Sequence, residues 1–257
     1  TIVQTRFNTA TNGGVTRNGD DDYYEVLQYA CKAPTVNNDN INRTLVIMIP
    51  NTEDYGGVTY MWDDGTAIAY CPMSDYGYPL DFRGVIQHEA GGHGFGKLGD
   101  EYIYHNAFIQ SCSCTCCPHA FELQAFQSLG WFQNLSLSGK MGDVPWRDFI
   151  FHEKYSTFVD IFEGGYMHNR GVYRSEQNSC MNNEIPYYST ISRYEIVKRI
   201  MEYAGEPFSF DKFVENDIVE AIAETSATKD GNTGMDSRSA SMNSHEPVFM
   251  GERKTLR

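Results

Sequence analysis

The chain has 257 residues, 41% of them apolar and 14% aromatic, enough for one large core or two closely packed lobes. A net charge of −14, with the acids spread along the chain, argues against nucleic acid or an anionic membrane surface as partner. No apolar run reaches the roughly 18 residues of a membrane span.

In chain order, the first residues "TIVQTRF" read like a strand and show no signal peptide. The expectation is a processed or a trimmed form, with an export signal missing upstream and room there for a further domain. The stretches "NTATNGGVTRNGDDD" and "TVNNDNIN" are polar turn clusters, and "YYEVLQYACK" between them predicts a short helix. Residues 44–50, "TLVIMIP", form an apolar run ended by Pro50 and predict a buried strand. "YGGVTYMW" and "TAIAYCPM" read as strands joined by "DDG", a hairpin signal. "FRGVIQHEAGGH" then carries apolar residues at helical spacing into a series of glycines.

In the second half, "HAFELQAFQSLGWF" predicts a helix with an aromatic and leucine stripe for the core. "VPWRDFI" and "STFVDIFEGGYMHNRGVYR" read as loop-rich. "STISRYEIVKRIMEYAGEP" is the clearest helix: Ser189 or Thr190 caps it, Ile191, Tyr194, Val197 and Met201 line one face, and Gly205 and Pro207 stop it. Residues 226–245 are polar and of low complexity, which predicts a flexible loop.

The chemistry concentrates in "VIQHEAGGHGFGKLGDEY", residues 85–102. A zinc peptidase needs two imidazoles on one helix face and a carboxylate beside the metal. His88 and His93 are five apart, which on a regular α-helix would splay them by about 140°. A π-bulge at Gly91 and Gly92 would absorb the extra residue and let the rings converge, with Glu89 over the open metal position. Gly94, Gly96 and Gly99 let the chain fold back and supply a third ligand: Asp100 first, Glu101 as runner-up, His105 a distant third.

The motif "HEAGGHGFGKLGDEY" resembles that of the IgA-peptidase (igalysin) family of bacterial zinc metalloendopeptidases. "LGWFQNLSLSGKMGDVPW" and "GGYMHNRGVYRSEQNSCMNN" are similar to later segments of bacterial members, so the resemblance covers roughly residues 40–215. The five-residue histidine spacing departs from the general motif, although H-E-x-x-G-H also occurs in dipeptidyl peptidase III. The resemblance implies a metzincin-like fold with a methionine turn beneath the zinc, and Met181 in "NSCMNNEIP" fits that position.

The expected fold is therefore α/β (α+β) in a single catalytic domain. A mixed twisted sheet and the zinc helix form an upper lobe, about 1–102. A helical, loop-rich lower lobe, about 103–257, carries the Met-turn and C-terminal helix. The expected function is zinc-dependent hydrolysis of protein substrates, bound extended along an edge strand, with Glu89 as general base. Tyr173, Arg174, Tyr187 and Tyr188 are candidates for steadying the developing oxyanion. Rival readings are an exopeptidase and a protein- or glycan-binding module with a vestigial zinc site.

Of seven cysteines, Cys112, Cys114, Cys116 and Cys117 crowd into "SCSCTCC". That pattern lacks the paired C-x-x-C units of a structural zinc site, so disulfides or small buried thiols are expected, with His119 a lone surface histidine. "GDDDYYE" and "WDDGT" lack calcium-loop spacing and read as solvated acidic turns, leaving Ca2+ as a cofactor unsupported. His152 and His168 read as hydrogen-bonded loop or core histidines. Export to the periplasm, cell surface or medium is expected from the resemblance.

Overall fold

A computed structural model describes residues 10–12, 15–17, 22–53, 56–109, 119–219 and 247–256. The expected loop at 226–245 lies outside them. The fold is mixed α and β, and the chain divides into two compact units after Phe95. The second unit is Gly96–Ser241, and the C-terminal residues rejoin the first. That division falls inside the segment carrying the zinc motif, whereas the sequence reading set it near residue 102.

The first unit opens with a small antiparallel hairpin, β1 (Ala10–Asn12) and β2 (Val15–Arg17), inside what reads as a polar turn cluster. Helix α1 (Asp22–Ala30) follows and buries Tyr23, Val26 and Leu27. The unit's main sheet has β3 (Leu45–Met48) at one edge. Next come β5 (Ala67–Tyr70) and β4 (Val58–Met61), and then a C-terminal strand, Val248–Phe249. The hairpin expected of β4 and β5 is present, antiparallel with Val58 opposite Tyr70. Every residue of both strands is buried.

The strand at 45–48 forms as expected but is not a buried central strand. It pairs with β5 alone, in parallel, and leaves Ile47 38% and Ile49 52% exposed. An unbroken apolar run signals burial on both faces, yet sheet order decides that, and order is set by pairing partners distant in sequence. The C-terminal strand runs parallel to β4, and Arg253 pairs with Asp64 at 2.7 Å. Asp64 also accepts from the Thr66 N–H at 2.9 Å, so the "WDDGT" turn is closed from within the protein. Tyr23, Tyr60 and Tyr70 interlock in the core, with ring centroids 4.5 Å and 5.5 Å apart along that series. Each such ring contributes roughly 1.5–3 kcal/mol by burial.

In the second unit the stretch read as loop-rich contains regular structure. Strand β6 (Ile103–Phe108) runs parallel to the long β9 (Met167–Arg174). Strands β7 (Leu135–Ser136) and β8 (Phe162–Gly165) pair antiparallel with β9. Gly164, Gly165 and Gly171 break the alternation that marks a strand in sequence, which is why β8 and β9 escape a pattern reading.

Helix α3 (His119–Ser128) buries Leu123 and Phe126, as its stripe predicts. A short α4 (Arg147–Phe151) then packs Trp146 and Phe149 against Tyr155, Ile191 and Phe213. Helix α6 (Thr190–Ala204) follows the expectation closely. The Ser189 side chain caps it by accepting from the Ser192 N–H, and Gly205 ends it in the left-handed region. Helix α7 (Phe210–Asn216) completes the unit. Among the described residues, no helix is long and apolar enough to cross a membrane.

Candidate metal centre

The segment that carries the histidines begins as a short α-helix, α2 (Phe82–Ile86), capped by the Asp81 carboxylate accepting from the Arg83 N–H. It then widens into a π-helix across Gln87–Gly96. The sequence called for one wide turn, and the structure has ten residues of it. In a π-helix the i→i+5 hydrogen bond puts an extra residue in each turn, so residues five apart stack as residues four apart do in an α-helix. His88 and His93 accordingly meet: their rings are 4.8 Å apart at 78°, and their Nε2 atoms are 3.1 Å apart.

Close packing holds the π segment in place. A Cβ on Gly94 would stand 2.7 Å from Leu45 Cδ1, so glycine lets the helix rest directly on β3. Ala90 packs with Ala69, Cys71 and Val85 beneath it. Burial, and secondarily the charge of Glu89, push the Cys71 thiol up, so it stays protonated beside the site.

Asp100 completes the group. A carboxylate oxygen of Asp100 and ring nitrogens of His88 and His93 all lie within 4.8 Å of one another, and all three residues are buried. Two imidazoles and one carboxylate form the donor set of an open, three-ligand zinc site. Size agrees as well: tetrahedral zinc with Zn–N of about 2.0–2.1 Å implies an N···N edge of about 3.3 Å. The observed 3.1 Å is within a few tenths of that. The residues present therefore fit the metal that the motif implies.

Glu89 is buried and held from the sheet. The Thr59 hydroxyl lies 2.8 Å from Glu89 Oε2 and 3.1 Å from the Glu89 carbonyl, and donates to one or the other. Gly57 makes room for the side chain: a Cβ there would lie 2.3 Å from Glu89 Cγ.

Glu101, the runner-up ligand, is engaged elsewhere. One carboxylate oxygen accepts from Asn134 Nδ2 at 2.9 Å and the other from the Ser179 hydroxyl. Burial pushes its carboxyl up to about 7, while Ser179, Asn134 and the Arg174 charge pull the other way. Asn134 also grips Gly99 from both sides, accepting from its N–H at 2.8 Å and donating to its carbonyl at 2.8 Å. Asp100 is thus bracketed by two neighbours tied to one amide. Its own carbonyl accepts from the Tyr166 N–H at 2.8 Å.

Met181 is buried in a single helical turn, α5 (Cys180–Asn183). Its carbonyl accepts the Glu101 N–H at 2.7 Å, which joins the expected Met-turn to the residue after Asp100.

The four oxyanion candidates are held by contacts within their own unit. The Tyr173 hydroxyl faces Glu163 at 3.4 Å, and Arg174 donates to the Gly164 carbonyl at 2.6 Å. The Tyr187 hydroxyl donates to Glu176 at 2.6 Å. Burial and a Cys180 contact push Tyr188 up. His105 stands not with Asp100 but beside His119 and His168. Sequence reasoning missed Gly57, Thr59, Asn134 and Ser179, none of which carries a local signal, because their partners lie at least 30 residues away. No protein-family model matches this chain, and no curated protein matches it significantly.

Proposed function

We propose that the protein is a zinc-dependent endopeptidase of metzincin-like build, in which His88, His93 and Asp100 hold one zinc ion and Glu89 is the general base. The single observation that carries this reading is the π-helical turn, which brings two imidazole nitrogens five residues apart to 3.1 Å beside a buried carboxylate. π-Turns occur mostly at functional sites, where their poorer hydrogen bonding is offset by the geometry they give. The resemblance of residues 85–102 to the igalysin motif points the same way. When bound, zinc supplies Lewis acidity and lowers the pKa of water toward neutrality.

Glu89 takes a proton from the attacking water and returns it to the leaving amine. Thr59 orients its carboxylate through the 2.8 Å hydrogen bond. Met181 and Glu101 brace the loop that carries Asp100. An extended peptide of a protein is the substrate class this reading calls for, and export is the matching location.

The test joins metal analysis to a digest. The purified chain is expected to hold one zinc equivalent that His88→Ala with His93→Ala removes, to cut an unfolded protein at internal bonds, and to stop when a chelator strips the metal. Zinc content indifferent to His88→Ala with His93→Ala, after dialysis against a zinc buffer, would sink the reading. Release of dipeptides alone would turn it to an exopeptidase.

A steric prediction follows from Gly57. Gly57→Ala puts a methyl 2.3 Å from Glu89 Cγ, so the glutamate must swing off Thr59. The expected result is a loss of activity on the order of 100-fold, the cost of about 1 Å of misplacement. Zinc content and circular dichroism stay unchanged. Full activity in this variant would show that Glu89 has no required position.

A further inference from the structure

Three of the seven histidines gather in the second unit, on three separate elements. His119 opens α3, His168 sits near the start of β9, and His105 lies on β6 as the register partner of His168. His119 Nδ1 and His168 Nε2 are 2.8 Å apart, and the two rings are 5.1 Å apart at 70°. The His105 ring is 5.6 Å from that of His168 and 6.5 Å from that of His119.

The backbone around these residues is irregular in ways that serve the gathering. The β6–β9 ladder slips register on both sides of His105, between Ile103 and His105 and again between His105 and Phe108. Breaks in a ladder re-aim the side chain between them, as β-bulges do beside functional sites. Immediately before His168, Tyr166 and Met167 both adopt left-handed conformations, with φ of 43° and 64°. Such conformations cost non-glycine residues on the order of 1–3 kcal/mol and persist where the surroundings demand them. A part-buried histidine pair sharing one proton accounts for the 2.8 Å contact. It does not account for a third imidazole delivered between two register shifts, or for a strained turn that launches His168.

We propose that His119, His168 and His105 form a second metal site, for a divalent transition ion of the zinc type. Imidazole is a preferred ligand of such ions, and three of them leave a fourth position for water or another ligand. His168 is 4% exposed and His105 faces solvent, so the pair His119–His168 forms the inner part. The three rings do not converge on one point as they stand, so His105 would close the site from outside by a side-chain rotation. The role is structural: one ion would tie β6, β9 and the start of α3 together. The cysteine-rich segment between β6 and α3 lies outside the described residues and is no part of the site.

The experiment uses the full chain carrying His88→Ala and His93→Ala, so that only the second site reports. After dialysis against a zinc buffer, this variant is expected to keep one equivalent of zinc. Adding His119→Ala and His168→Ala removes that equivalent, and His105→Ala alone weakens it by at least about 10-fold, the lower end of what even outer-shell losses cause. In the otherwise wild-type chain, His119→Ala with His168→Ala lowers the zinc content by one, which keeps the test valid if the first background fails to fold. Cobalt(II) gives an independent readout, because a tetrahedral site shows intense visible absorption and a hydrogen-bonded pair shows none.

Zinc content and cobalt spectrum indifferent to His119 and His168 would overturn the proposal. So would loss of the equivalent only when Cys112, Cys114, Cys116 and Cys117 are all changed to serine. Failure of the first centre leaves both outcomes readable, since its ligands are already absent.

Discussion

Glu89→Gln is expected to lower peptide hydrolysis by about 100- to 10,000-fold, the usual contribution of a positioned general base, with zinc content unchanged. The two side chains have nearly the same shape, so the buried slot beside Gly57 accepts either. The Thr59 hydroxyl now bonded at 2.8 Å to the carboxylate can donate equally to an amide oxygen. What glutamine lacks is a basic oxygen to receive a proton. The metal should stay, because the proposed ligand group is His88, His93 and Asp100 and does not include Glu89. Zinc stoichiometry and kcat/KM on an unfolded protein are measured together. Loss of both would make Glu89 a ligand, and retention of both would end the hydrolase proposal.

The meeting of His88 and His93 was legible in the sequence because its geometry is local. Five-residue spacing excludes a straight α-helix by about 140° of rotation, and glycines at 91 and 92 show where the helix can widen. The length of the π segment was not legible, since it depends on how closely Gly94 lies on Leu45 from another element. Helix α6 was read almost to the residue, with cap, stripe and stop all inside its own sequence.

The edge position of β3 and the existence of β8 and β9 were not. Those depend on which strands pair, and pairing partners leave no mark in either strand alone. His168 shows the same limit. As a lone residue in a glycine-rich stretch it reads as a core histidine, and only the β6–β9 register brings His105 opposite it.

Asn134→Ala is expected to damage both the fold and the metal centre. The Gly99 N–H can only donate, so the amide atom facing it is Oδ1. Nδ2 therefore faces the Gly99 carbonyl and the Glu101 carboxylate, and both its hydrogens are used. Removing the amide strands three buried groups at roughly 1–3 kcal/mol each, less what relaxation or an entering water recovers. The net loss should be about 3 kcal/mol, read as a lower denaturation midpoint at unchanged slope.

Because those groups flank Asp100 on both sides, the third ligand loosens as well. Zinc affinity measured by chelator competition should fall about 10- to 100-fold, the range for lost outer-shell partners. Asn134→Asp separates packing from polarity. It fills the same space but turns a carboxylate oxygen toward Gly99 O and Glu101, so it should be at least as harmful as alanine. An aspartate variant that binds zinc as tightly as the parent would mean the amide merely fills space and does not hold Asp100 in place.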